Sequence, residues 1–473
     1  MIGEREGEGD SGAGGEGKGA TDQRPAGSVE AATIPGTPRR RNFVLTVGTN
    51  LTIMGLTFVT GTLNARLLGP SGRGELAAIQ NIPGCLGTIA LLGLPSAVGY
   101  YTARRPHEAR ALALTAATMC LAASLPFILI GYLMMPWALS SQTAVVVHDA
   151  RIYLWLIVLQ SVNLIPYVAL QGLGQFALWN VLRVAPNVAT LVAIGAAWLM
   201  HSPYAGTVAH GLLIASWLIV PFTYTALWRR SVPGVPGTPL RIGELFRYGL
   251  PSALMIPAGL LNLQLDQLVL AAWLPSRMLG LYAVGVSWSA LISPIFNALG
   301  SVIFPTLAAA QDAQAQRAIV GRAFRLAVLV VLVLGIGLAA VTPLLLPLVF
   351  GSSFRAAVPS ALVLVAASMV LNLNNLGGEI LRGLGVPRWT LYSQLFALPV
   401  TIVSLIVLLP RLSIVGAAVS SVLAYLVAGI VSVLGIGRTC HLSASDLFPR
   451  KGDVAELLEL VRHLVASRWR RTA

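Results

Sequence analysis

From Phe43 to Gly437 the chain is a succession of apolar runs separated by short polar breaks. A run of about 20 apolar residues is long enough to cross a ~30 Å hydrocarbon core as a helix. The pattern predicts about twelve such helices, with approximate limits 43–65, 76–101, 112–135, 152–170, 180–200, 206–228, 248–273, 281–305, 324–349, 358–380, 390–409 and 414–437. Connections between them run to roughly 20 residues at most, which leaves no room for a folded soluble domain. The expected class is an all-α polytopic membrane protein.

Composition supports the pattern. Of 473 residues 56% are hydrophobic and 11% charged, whereas soluble domains carry about 25% charge. The net charge of +14 suggests nucleic acid only until the charges are placed. Residues 1–42 hold seven of the 18 acids amid glycine, a composition that reads as a disordered tail and lacks the apolar stretch of a signal peptide. The arginines cluster in alternate loops. If the N-terminus is cytoplasmic, fifteen fall in inner loops and six in outer ones. The positive-inside rule then puts both termini in the cytoplasm. The expected organisation is a tail over 1–42, six spans over 43–228, a linker over 229–247, six spans over 248–437 and a basic tail over 438–473. In that last segment Val454, Leu457, Leu458, Val461, Leu464 and Val465 recur at helical spacing, as in an interfacial helix or one packed on the inner loops. Cys85, Cys120 and Cys440 show no disulfide or metal spacing and read as packing residues.

The two groups of six spans resemble each other. LQGLGQFALWNVL at Leu170–Leu182 aligns with LRGLGVPRWTLYS at Leu381–Ser393, and SGRGELAAI at Ser71–Ile79 aligns with SRMLGLYAV at Ser276–Val284. Each pair occupies the same place in its half. Two six-helix lobes related by a pseudo-twofold axis, with a cavity between them, are a transporter arrangement.

The runs ARLLGPSGRGELAAI, LGLPSAVGYYTAR, LDQLVLAAWLPSRMLGLYAV and LRGLGVPRWTLY resemble those of the oligosaccharide flippases of the polysaccharide transporter type. Their superfamily also holds multidrug antiporters and lipid II flippases. The resemblance covers roughly residues 40–440. It implies a bacterial plasma-membrane protein that moves undecaprenyl-diphosphate-linked glycans from the inner to the outer leaflet by alternating access, with ion coupling in some members. The implied partners are the lipid-linked glycan, membrane lipids and polysaccharide assembly proteins, with no nucleic acid.

Such a task needs a hydrated cavity with cationic and hydrogen-bonding groups. Charged side chains at membrane depth cost at least ~2.5–3.5 kcal/mol each, so those within the spans are candidates. Asp266 shares a helix face with Asn262 and Gly259. It reads either as a cavity-facing site for a proton, a coupling ion or a glycan hydroxyl, or as a packing acid. Arg66, Arg183, Arg104 and Arg382 are candidates for the diphosphate, because a guanidinium fork matches phosphate oxygens. Snorkelling to headgroups is the alternative for each. Glu379, one turn before Arg382, is its natural partner. Asn163 and Asn374 are equivalent under the repeat and suit either glycan hydroxyls or interhelical hydrogen bonds. In the turn GPSGRGE, Arg73 and Glu75 read as solvated or headgroup-facing. Arg66 has no counterpart, because Ala272 stands at its place in the second half.

No catalytic constellation, phosphate-binding glycine loop or zinc-ligand spacing is legible. The expectation is a transporter without cofactor or metal. A glycosyltransferase or polymerase would want longer outer loops. A cation antiporter of the same fold would want acids in the cavity, and one acid against several arginines favours an anionic substrate.

Overall fold

The computed structural model describes residues 36–199, 204–231, 242–310, 312–450 and 452–453. The stretch 1–35 of the expected tail, most of the expected linker and the helical pattern beyond Asp453 lie outside them. Every regular element among the described residues is helical. Nine helical stretches among them are long and apolar enough to cross a membrane. Two of these are too long for one crossing. The stretch Arg388–Cys440 has 53 residues, roughly 80 Å at 1.5 Å per residue, and breaks at Ser413 (φ 52°). Gly36–Ala90 likewise breaks at Gly69 (φ 65°) before Pro70.

Divided at these breaks, and with Ile242–Trp273 added, the described residues form twelve such helices. They are α1 (36–68), α2 (70–104), α3 (Ala109–Ala138), α4 (Ala144–Gly172), α5 (Phe176–Leu199), α6 (Ala205–Arg230), α7 (Ile242–Trp273), α8 (Ser276–Ala309), α9 (Ala313–Phe350), α10 (Val358–Gly383), α11 (388–412) and α12 (414–440). Exposed aliphatic side chains such as Leu125, Leu133, Val181 and Leu344 cover the outer faces, as contact with lipid requires.

The expected spans are present with shifted ends. Helix α1 begins at Gly36, so the last residues of the expected tail are helical. Helix α4 begins at Ala144, where the Thr143 hydroxyl accepts from Val146 N at 3.4 Å. The expected long loop over 136–151 is therefore mostly helix, and Asp149 is buried rather than in a loop.

The repeated LxGLG motifs are helix ends. Gly174 (φ 72°) and Gly385 (φ 77°) close α4 and α10. In each, a backbone N–H reaches back five residues, from Gln175 to Leu170 O at 3.0 Å and from Val386 to Leu381 O at 2.9 Å. Glycine at the left-handed position is what this cap requires. Helix α4 packs on α2 and α3, and α5 on α6; in the second half α10 packs on α8 and α9.

Candidate functional site

The two halves meet along two seams. The end of the molecule with the α1–α2 and α7–α8 turns is called the turn end, and the opposite end the tail end. Along the first seam α2 runs beside α7. At the tail end Arg105 pairs with Glu244 at 2.9 Å and Tyr100 stacks on Tyr248 with ring centroids 4.5 Å apart. The backbones touch where α2 bends: a Cβ on Gly93 would lie 2.2 Å from Gly249 O. Midway, Cys85 Sγ donates to Gln264 Oε1 at 2.8 Å and Asn81 Nδ2 to Gln267 Oε1 at 3.3 Å. At the turn end Gln142 Nε2 donates to Ala271 O and Leu274 O at 2.8 and 3.0 Å. This seam is joined at both ends and midway, and an apolar cavity of about 510 Å³ lined by Ile82, Cys85, Leu86, Leu261, Leu265 and Leu268 lies along it.

The second seam is joined at the turn end. There Phe58 of α1 meets Phe350 of α9 edge to face. Towards the tail end α1 exposes Asn50, Thr52, Gly55 and Thr57, and α8 exposes Asn297, Ser301 and Thr306. Amides and hydroxyls at membrane depth are rare on lipid-facing surface and mark water-lined space. The flank of α1 carries a polar ladder to α5. Asn180 Nδ2 donates to Thr46 Oγ1 at 3.2 Å, Arg183 Nη2 to Asn50 Oδ1 at 3.0 Å and Thr57 Oγ1 to Asn187 Oδ1 at 3.1 Å. Arg183 also lies over the Trp179 ring, 4.5 Å from its centroid. On the other side the Glu379–Arg382 ion pair adjoins α8, since a Cβ on Gly300 would lie 2.8 Å from Glu379 Cγ. Asn375, one turn before Glu379, is exposed. The candidate site is this open seam, with Asn50, Thr57 and Arg183 on one wall and Asn297, Ser301, Asn375 and Arg382 on the other.

The expected site residues are therefore dispersed. Arg183 and Arg382 border the open seam. Arg104 is exposed at the tail end of α2, over the Tyr100 ring at 4.6 Å. Arg66 is committed to backbone: its Nε and Nη2 each donate at 2.7 Å to Val349 O and Leu348 O at the end of α9. Asp266 is 5% exposed and lies inside the second half. It accepts from Tyr282 OH, from Ser421 Oγ at 3.2 Å and from Gln267 N at 2.7 Å. Asn163 accepts from Thr223 at 3.4 Å and Asn374 from Ser432 at 2.6 Å, so each ties helices within its own half. Arg73 and Glu75 are half-buried. Asn50, Thr57, Asn297 and Ser301 were missed. Their signal was polar spacing along one face, Thr46–Asn50–Thr57 on α1 and Asn297–Ser301 on α8.

Residues 63–359 match the family model described as polysaccharide biosynthesis protein. The chain belongs to that family. Among solved structures it is similar to the lipid II flippase MurJ in an inward closed conformation, with a TM-score of 0.70, 12% identity and 85% of this chain and 89% of that chain covered. It is also similar to an inward-facing multidrug resistance MATE family transporter of the MOP superfamily, with a TM-score of 0.62, 16% identity and coverage of 83% and 98%. An uncharacterized membrane protein of Methanocaldococcus jannaschii is 23% identical over 243 residues, which are 50% of this chain and 48% of the relative. The chain thus spans about half the length of that curated relative. The expected family and all-α fold are borne out, and the nine long apolar stretches among the described residues make this a multi-pass membrane protein.

Proposed function

We propose that the protein carries undecaprenyl-diphosphate-linked glycan from the inner to the outer leaflet of a bacterial plasma membrane. In this reading both termini are cytoplasmic, the turn end faces outward, and polysaccharide assembly proteins take up the product. The observation that carries it is the asymmetry of the seams. One is joined at both ends and midway and lined by apolar groups, while the other carries exposed amides and hydroxyls with two guanidinium groups, the half-buried Arg183 and the exposed Arg382. A lipid-linked substrate needs that arrangement, because its headgroup crosses in water while its chain stays in hydrocarbon. Arg183 and Arg382 are the diphosphate ligands, and Arg382 exchanges Glu379 for the substrate. A cation antiporter fits less well, because the half-buried acid at this seam, Glu379, is already neutralised by Arg382.

Asp266 is proposed as the coupling site. A carboxylate held by a tyrosine, a serine and a backbone N–H takes up a proton or cation only when the helices around it move, so occupancy and conformation are linked. In vesicles holding labelled lipid-linked glycan, Asp266→Asn should slow transfer and flatten its pH dependence. Full transfer at every pH would remove Asp266 from coupling. Failure of the wild-type protein to move the glycan, together with movement of an organic cation, would replace the substrate reading.

A further inference from the structure

The glycines of the two aligned turn motifs touch across the molecule. A Cβ built on Gly74 would lie 1.7 Å from Ser276 O and 2.8 Å from Gly280 N; one built on Gly280 would lie 1.9 Å from Pro70 O and 2.8 Å from Gly74 N. The relation is reciprocal, as two copies related by a twofold axis require. Pro70 and Ser276 correspond under the same shift that relates Gly74 to Gly280. The pseudo-twofold axis therefore passes between these glycines, and the first turns of α2 and α8 approach backbone to backbone. Real Cβ atoms do not come within 3.0 Å of backbone, so glycine is the residue both positions admit in this arrangement.

Side chains of the first half surround the contact and bind the carbonyls that end helices of the second. The last carbonyls of a helix lack partners within it. Gln142 and Ser140 and Ser141 take those of α7: Gln142 binds Ala271 O and Leu274 O, and the two serine hydroxyls donate to Ala272 O at 3.0 and 2.7 Å. Ser276 Oγ donates in return to Gln142 Oε1 at 2.6 Å. Arg66 takes the carbonyls of α9. All of these are polar contacts that water replaces when the halves part.

We propose that this contact is a latch that shuts the turn end, closed by the Gly74–Gly280 backbone approach and held by Gln142 and Arg66. A methyl group at either glycine converts the protein to a form open at that end. The inference needs only that the halves separate there, whatever is carried. The test uses nitroxide labels at Ser71→Cys and Arg277→Cys, two exposed positions flanking the contact. The native cysteines are buried and are left in place. Pulsed electron resonance on the full chain in nanodiscs reads the distance between the labels. Gly74→Ala and Gly280→Ala should each raise the long-distance population about tenfold relative to the short one, a change of about 1.4 kcal/mol. Gly84→Ala on the same helix, where a Cβ meets nothing within 4 Å, should leave the distribution unchanged. Gln142→Ala, which removes atoms and adds none, should shift it in the same direction by less. A wild-type distribution in both folded glycine variants overturns the latch. If those variants do not fold, a wild-type distribution in Gln142→Ala overturns it instead.

Discussion

The α2–α7 seam and the α1–α8 seam occupy related positions about one pseudo-twofold axis, yet one is joined at both ends and midway and the other carries exposed polar side chains below Phe58. What separates them is the residue type placed at equivalent depth. The first seam is joined by small or mutually satisfied groups: Gly93 on Gly249, tyrosine on tyrosine, amide on amide. The second presents Asn50, Thr57, Asn297 and Ser301 as exposed groups. A seam whose polar groups meet across it and are covered excludes water, and one whose polar groups stay exposed must hold it. Symmetry of backbone is thus compatible with asymmetry of function, because hydrogen-bond satisfaction is decided one side chain at a time.

The largest break in this comparison is expected at Gly93→Val. Its Cβ would lie 2.2 Å from Gly249 O at φ 67°. Left-handed backbone costs roughly 1–2 kcal/mol and overpacking typically about 1–3 kcal/mol. Thermal unfolding followed by tryptophan fluorescence should show a clear loss of stability. Gly55→Val, with open space around its Cβ, should show none; equal losses would mean that the seams do not differ as described.

Next in size, Arg183→Gln and Arg382→Gln should each slow glycan transfer by roughly 10–100-fold. Hydrogen bonds to charged groups are worth about 1.5–3 kcal/mol. Stability should change little, since Arg183 keeps only Asn50 and the Trp179 face, and Arg382 is exposed. A smaller effect separates packing from binding. Asn163→Leu and Asn374→Leu should each cost about 0.6–1.7 kcal/mol of stability, as interhelical hydrogen bonds do in membranes, with no change in apparent affinity for glycan. A change in affinity would return these amides to the substrate path.

The smallest effect concerns the segment after α12. Arg325 on α9 binds Asp453 at 2.9 Å and donates to Asp446 O at 3.1 Å. Hydrogen bonds from Ser443 hold the Asp446 carboxyl below its ordinary value of 3.8, and the Arg450 N–H does so for Asp453. Groups depressed in the folded state stabilise it above their unfolded value and lose that contribution as pH falls through the folded one. Hydrogen-exchange protection over 443–450, taken relative to the intrinsic rate at each pH, should therefore fall as pH drops below 3.8 and stay constant above about 5.

Much of the molecule was legible in the chain. Apolar run length is a local property tied directly to bilayer thickness, so span number and class followed from it. The LxGLG repeat marked equivalent places because glycine at those sites answers a backbone demand. Span ends were less legible: the helix from Ala144 runs on through His148 and Asp149, and α1 and α2 meet at a single glycine.

The sequence by itself determined twelve apolar helices, two related halves and an excess of guanidinium over carboxylate groups in the spans. Only the tertiary structure decided which polar residues meet a partner. Arg66 was singled out for lacking a counterpart, and it is occupied by the carbonyls of Leu348 and Val349, 282 and 283 residues away. At the related site the donors are instead Ser140, Ser141 and Gln142, and the acceptors include Ala272 O, so Ala272 needs no charge. Asp266 read either as a cavity group or as a packing acid, and it is enclosed by Tyr282 and Ser421. Helical periodicity assigns a side chain to a face of its own helix. What that face meets depends on segments hundreds of residues away, and hydrogen bonding there sets whether a polar group serves packing or cargo.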